Sequence, residues 1–240
     1  MIKVITFNIK CGGANEFSID HRSPLLKTVL DRYDGDVISL QEATPKWMEH
    51  IEEDYGEEYE IFNHYRSRTS PESTPILWRK SRFECLDKGY FWFSDTPDVE
   101  SGGWDTWGNN RICLWVQLFD KQEGTKFTFF NTHYGFGDEN QVKSSQLILN
   151  HFKAMKVDCG MVTADFNMSY GRPGYKLLEQ HLVDANVATV NDQRHTCHGY
   201  NRNRKTGTPI DICFVTPETI VPITAKRMDD LVNDEFPSDH

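Results

Sequence analysis

Short apolar runs recur along this 240-residue chain, and several finish in a side chain that can hold a metal ion or a phosphate. VITFN ends at Asn8, VISLQE at Glu42, FTFFNTH at Asn131 and His133, and MVTADFN at Asp165 and Asn167. Asp211 heads IDICFV, and Asp239 and His240 are the last residues. One such ending is ordinary, because a strand has to stop in polar residues. Their repetition predicts that strand ends from distant parts of the chain converge on one site, since sheet-based folds collect reactive groups in the loops there.

The same runs set the fold class. IKVITFNI at 2–9 is rich in β-branched and aromatic residues, and VISL at 37–40 reads as a strand buried on both faces. Further strands are expected near 59–63, 75–79, 83–93, 112–119, 126–132, 161–166 and 210–215. Ser23 and Pro24 read as the N-cap and first residue of a helix carrying Leu25, Leu26, Val29 and Leu30 inward. Thr44 and Pro45 start a second, with Trp47, Met48 and Ile51 inward. Val142, Leu147, Ile148, Phe152 and Met155 set a long helix over about 140–156. Strands interleaved with helices predict one α/β domain over 1–240, two sheets with helices outside.

Composition excludes some functions. A formal net charge of -10 argues against a broad basic face for duplex DNA, since that needs clustered Lys and Arg. A short or single-stranded nucleic acid, or a small phosphoester, suits such a surface better. No apolar run approaches the roughly 18–20 residues needed to cross a bilayer, and Met1–Ile9 lacks a secretory pattern, so a cytoplasmic protein is expected. The six cysteines are scattered; His195, Cys197 and His198 lack a matching second pair, so reduced thiols are expected rather than zinc. There is no G-x-S-x-G elbow and no phosphate-binding G-x-x-x-x-G-K loop. The run-end set is instead rich in hard oxygen donors, which suit Mg2+ or Mn2+. Its histidines, paired with carboxylates, can move protons near neutral pH.

FNI at 7–9, LQE at 40–42, NTH at 131–133, ADFN at 164–167, ID at 210–211 and SDH at 238–240 resemble, in this order, the endonuclease/exonuclease/phosphatase superfamily. The resemblance implies a four-layer α-β-β-α sandwich of two packed mixed sheets with outer helices, the site lying at one edge of the sheets. It implies that Glu42 is the principal metal ligand, with Asn8 and Asp239 as further metal residues. It implies that Asp165 and Asn167 position the attacking water and a phosphate oxygen, that Asp211 orients His240, and that His133 is the second active-site histidine. ESTPILWRKSRFE at 72–84, GYFWFSDTP at 89–97 and GGWDTWGNNRICLW at 102–115 resemble a bacterial branch near the CCR-type deadenylases, which puts Glu72 and Arg111 at the pocket. Ala164 stands where that superfamily usually has Gly. Its members also continue past SDH into a further strand, which predicts a missing C-terminal strand and a frayed His240.

Other residues divide between function and packing. Trp104 and Trp107, close to Arg111, are candidates for stacking on a base. YFWF at 90–93 reads as core. Arg202, Arg204 and Lys205 fit either a phosphate contact or a solvated loop. The expectation is a monomeric, Mg2+- or Mn2+-dependent phosphodiesterase without a protein partner, a nuclease on single-stranded nucleic acid. A hydrolase of a small or lipid phosphoester is the alternative, and an inactive binding module the third reading.

Overall fold

The computed structural model describes residues 1–105, 107–203 and 207–240, so Arg204 and Lys205 lie outside the described residues. The apolar runs assemble into two mixed sheets. In the first, β1 (Val4–Asn8) and β2 (Val37–Gln41) are parallel, and β4 (Ile76–Arg79) and β3 (Tyr59–Phe62) complete the order β1-β2-β4-β3. The second has the order β5-β6-β7-β8-β10-β9. Its strands are β5 (Phe83–Trp92), β6 (Ile112–Asp120), β7 (Thr125–His133), β8 (Gly160–Asp165), β9 (Val183–Asp184) and β10 (Asp211–Val215). β7 and β8 are parallel, and β10 returns antiparallel to β8.

Three apolar layers hold this together. Trp78, Ile112, Leu114, Val116, Phe127 and Phe129 fill the space between the sheets. α1 (Ile19–Tyr33) and α2 (Pro45–Tyr55) cover the first sheet, packing Val29, Leu30, Trp47 and Ile51 on Ile5, Phe7 and Leu40. α3 (Asp138–Ala154) and α4 (Pro173–Glu179) cover the second with Ile148, Phe152, Tyr175 and Leu178 on Phe130, Val162 and Phe214. The result is the expected four-layer sandwich. YFWF behaves as a strand with Phe91, Trp92 and Phe93 buried and Tyr90 outward.

Some local expectations change. α1 starts at Ile19, capped by the Ser18 side chain, which accepts from the His21 N–H. Pro24 therefore lies inside the helix, where its missing N–H leaves the carbonyl of exposed Asp20 unbonded by the ladder. The early turn places Arg22 in the interior. Its guanidinium donates to the carbonyls of Phe17, Ile9, Lys10 and Pro237 and lies over the Trp47 ring. Asn131, one of the run-end residues, is fully buried between the sheets. Its Nδ2 donates to the carbonyls of Leu40, Thr74 and Pro75, and its Oδ1 accepts from Gln41. It cross-links the sandwich and does not reach the site.

Candidate active site

Strand register builds the site. His133 at the end of β7 lies opposite Asp165 at the end of β8, and Asp165 lies opposite Asp211 at the start of β10. The three positions form one row across three neighbouring strands, so their side chains leave the sheet on one face. On the first sheet, Asn8 ends β1 beside Gln41, and Glu42 follows directly. β1 packs against β8 and β10, which brings the two ends together. Lys10, Glu42 and Asn167 all have positive φ, at 57°, 63° and 49°. Such backbone is costly for residues other than Gly and is held where surrounding bonds over-determine it.

Those bonds are present. Asn8 Nδ2 donates to Glu42 Oε1 at 3.0 Å and to Asp165 Oδ2 at 2.9 Å, so one amide ties the two carboxylates across the sheets. The Cys11 N–H donates to Glu42 Oε2 at 2.8 Å, and the Asn167 N–H to Asp165 Oδ1 at 2.9 Å. His240 Nδ1 pairs with Asp211 Oδ2 at 2.8 Å, and His240 Nε2 stands 3.7 Å from Asp165 Oδ2. On the other side, His133 Nε2 is 3.5 Å from Asp165 Oδ2, and Nδ1 is 3.8 Å from Glu72 Oε1.

His240 does not fray. Ser238 Oγ donates to the Asn8 carbonyl at 2.6 Å, the N–H groups of His198 and Gly199 donate to the Asp239 carbonyl, and Arg22 holds Pro237. Asp239 itself pairs with Lys10 Nζ at 2.7 Å and is absent from the cleft lining.

Electrostatics separates the titrating groups. Burial and the neighbouring Asp211 raise the Asp165 carboxyl above its usual range, against the pull of His240, the Asn167 N–H and Asn8. Burial alone would depress His240, but Asp211 overrides it by charge and hydrogen bond, with help from Cys197 and Asp165, and holds the imidazole well above its ordinary value. Burial lowers His133 well below that value, with Arg111, His240 and Arg66 adding to the effect. The two imidazoles are thus shifted in opposite directions.

The cleft these residues open into has a volume of about 380 Å3 and is lined by Glu42, Asp165, Asn167, His133 and His240 together with Arg66, Glu72 and Arg111. Arg66, which carries no motif, is the residue that sequence reading missed. It pairs with Glu72 at 2.7 Å. Arg111 Nε donates to Asp105 Oδ2 at 3.2 Å. Neither tryptophan lines the cleft. Trp104 Nε1 turns to Asp95 and its ring to Lys143, and Trp107 stands 73% exposed. Asp105 Oδ1 accepts from the Trp107 N–H at 3.1 Å.

The residues fit a divalent cation. Asp165 and Asp211 offer carboxylate oxygens within 4.8 Å of each other, the Asp211 Oδ1 is buried without a hydrogen-bond partner, and Glu42 adds a carboxylate tied to Asp165 through Asn8. His195, Cys197 and His198 form no such group among the described residues.

A two-sheet sandwich whose strand ends gather carboxylates, amides and paired histidines in one cleft is an arrangement suited to phosphoester chemistry. The chain belongs to the Endonuclease/Exonuclease/phosphatase family, which it matches over residues 5–240. It is similar to an endonuclease/exonuclease/phosphatase from Bacteroides vulgatus, at 26% identity and a TM-score of 0.84 over 90% of this chain and 87% of that one. A mannosyl-6-phosphatase of Bacteroides thetaiotaomicron superposes with a TM-score of 0.84 at 24% identity, over 100% and 97% of the two chains, a likeness of fold. An uncharacterized protein of Acanthamoeba polyphaga mimivirus is 28% identical over 165 residues, 62% of this chain and 59% of that protein's length. No helix among the described residues is long and apolar enough to cross a membrane.

Proposed function

We propose that this protein is a Mg2+- or Mn2+-dependent hydrolase that breaks a phosphoester bond by in-line attack of an activated water, on a small phosphoester rather than within a nucleic acid strand. The observation that carries the reading is the Asn8 amide joining Glu42 to Asp165 beside the Asp211–His240 pair. Glu42, with Asp165 and Asp211 nearby, would hold the cation. A bound divalent ion supplies Lewis-acid stabilisation of the charge that builds on phosphate.

The chain's own groups divide the proton work. Asp165, with its raised carboxyl, is a better base toward water than an ordinary carboxylate. His240 is held charged by Asp211 and so serves as a donor to a phosphoryl oxygen. Asn167 fixes Asp165 through its N–H and holds His133 by its amide. Glu72 and Arg111 line the same cleft, Glu72 beside His133.

Substrate size follows from the walls. The nuclease reading leaned on Trp104 and Trp107, which stand away from the lining. Among the described residues, Lys10 is paired with Asp239 and Arg202 with Asp234. The mannosyl-6-phosphatase of similar fold acts on a phosphomonoester, an analogy that agrees with this reading. The test is a panel of hexose phosphates, inositol phosphates, single-stranded RNA and DNA and duplex DNA, each with Mg2+ or Mn2+ and with EDTA. Metal-dependent turnover of the small phosphoesters ahead of every polynucleotide is expected. Faster turnover of an oligonucleotide would restore the nuclease assignment.

A further inference from the structure

Arg66 and Arg111 line the same cleft as Glu42 and Asp165. Each is fixed before any ligand arrives. The Arg66 N–H donates to the Glu72 carbonyl, and the Arg66 carbonyl accepts from Trp92 Nε1 at 2.8 Å and Asn110 Nδ2 at 3.3 Å. Its guanidinium is braced by Glu72. The Arg111 carbonyl accepts from the Phe93 N–H, and its Nε is braced by the buried Asp105. Asp105 is packed so closely that a Cβ on Gly135 would stand 2.7 Å from its Cγ. No described residue accepts from the terminal nitrogens of Arg111, and the only acceptor for Arg66 Nη2 is Ser70 Oγ at 3.5 Å. Both forks keep donors open to the cleft.

We propose that Arg66 and Arg111 together receive the terminal oxygens of a phosphomonoester, so that the site selects a phosphate at the end of a small molecule over one joined on both sides. The inference rests on the phosphoester-hydrolase reading above. A monoester presents three non-bridging oxygens and a charge near -2, enough for two guanidinium forks and the Glu42–Asp165 side at once. A diester presents two and a single charge, and its second ester group would have to occupy the wall that the two arginines form. Burial and the like charge of Arg111 weaken the hold of Arg66 on its own proton, with Glu72 and Glu42 opposing, so an arriving dianion relieves the repulsion between the two guanidinium groups. In the reaction the water oxygen bonds to phosphorus as the ester oxygen–phosphorus bond breaks. Asp165 takes one proton from that water, the released alkoxide takes one from solvent, and the products are the alcohol and inorganic phosphate.

The test compares wild type, Arg66→Gln and Arg66→Lys on para-nitrophenyl phosphate and on bis-para-nitrophenyl phosphate with Mn2+. Wild type should favour the monoester in kcat/KM. Arg66→Gln should cut that preference by about tenfold or more, and Arg66→Lys, which keeps charge but loses the fork, should recover only part of it. Binding of inorganic phosphate, followed by calorimetry, should weaken in step in both variants, and circular dichroism separates this from misfolding. A wild-type preference for the diester, or equal losses on both esters with phosphate binding unchanged, overturns the proposal and leaves the hydrolase reading intact. Absence of metal-dependent turnover of either ester by folded protein overturns that reading as well.

Discussion

Asn167 Nδ2 donates to His133 Nε2 across 2.9 Å while donating to the Tyr134 carbonyl across 3.0 Å. A carbonyl only accepts, so the nitrogen of the amide is fixed, and His133 Nε2 must accept. A neutral His133 therefore carries its proton on Nδ1, which is buried, lacks a hydrogen-bond partner and faces Glu72 at 3.8 Å. Nitrogen-15 NMR of the metal-free protein should show this tautomer, with His133 titrating well below the ordinary histidine value. Asn167→Asp should invert the tautomer and raise the His133 titration. An Nε2–H tautomer in wild type would refute the assignment.

Asn8 separates two carboxylates that would otherwise face each other. Asn8→Asp adds a third charge and removes the shared donor, a like-charge cluster that a cation relieves. The melting temperature in EDTA should fall, and the gain on adding Mn2+ should exceed the wild-type gain. An unchanged gap between the two conditions would mean that Asn8 is remote from the cation.

Asp211 and His240 should behave as one unit. Removing a general acid or base, or the partner that orients it, costs about 10²–10⁴ in rate, and such residues are strongly non-additive. The double variant Asp211→Asn with His240→Ala should be little slower than His240→Ala alone; multiplicative losses would separate them. The pair also links pH to stability. His240 is raised in the folded state, so its contribution is complete below the unfolded value of ~6.5 and is lost as pH rises through the folded value. The urea midpoint should decline over that alkaline window in wild type and decline less in Asp211→Asn.

Away from the site, Arg82 joins the sheets. Its Nη2 meets Asp120 Oδ2 at 2.7 Å and its Nη1 meets Asp36 Oδ2 at 3.0 Å, and both Arg82 and Asp120 are buried. Asp120→Asn leaves the buried guanidinium short of charge and should cost about 3 kcal/mol, read by denaturant unfolding. Replacing Arg82 and Asp120 together by Leu should recover part of the loss. A single variant as stable as wild type would show the pair to be dispensable.

How much of this was legible follows from particular residues. Glu42, Asp165, Asp211 and His240 stand at run ends with a recognisable order, so both the fold class and the converging carboxylates could be read. Asn131 shares that pattern yet is buried, because the sandwich uses it to satisfy three carbonyls of the facing sheet. Arg66 lies in the polar stretch NHYRSRTSPES, where nothing separates it from Arg68. Only the folded contacts with Glu72, Trp92 and Asn110 distinguish them. Trp104 and Trp107 are near Arg111 in sequence, but Trp104 turns to Asp95 and Trp107 is exposed, and sequence distance does not give side-chain direction. Ser23 and Pro24 make a plausible helix start, but the helix begins at Ile19, and Arg22 enters the interior to bind the carbonyls of Phe17, Ile9, Lys10 and Pro237.

Hydrolysis should require a divalent cation held by Glu42 and its neighbours. The most direct test is turnover of para-nitrophenyl phosphate by protein stripped with EDTA and then titrated with Mg2+ or Mn2+, in wild type and Glu42→Ala. Stripping should abolish turnover, either ion should restore it in wild type, and Glu42→Ala should need a higher metal concentration and reach a lower maximum. Full turnover in EDTA, or the same metal titration in Glu42→Ala as in wild type, would contradict the account.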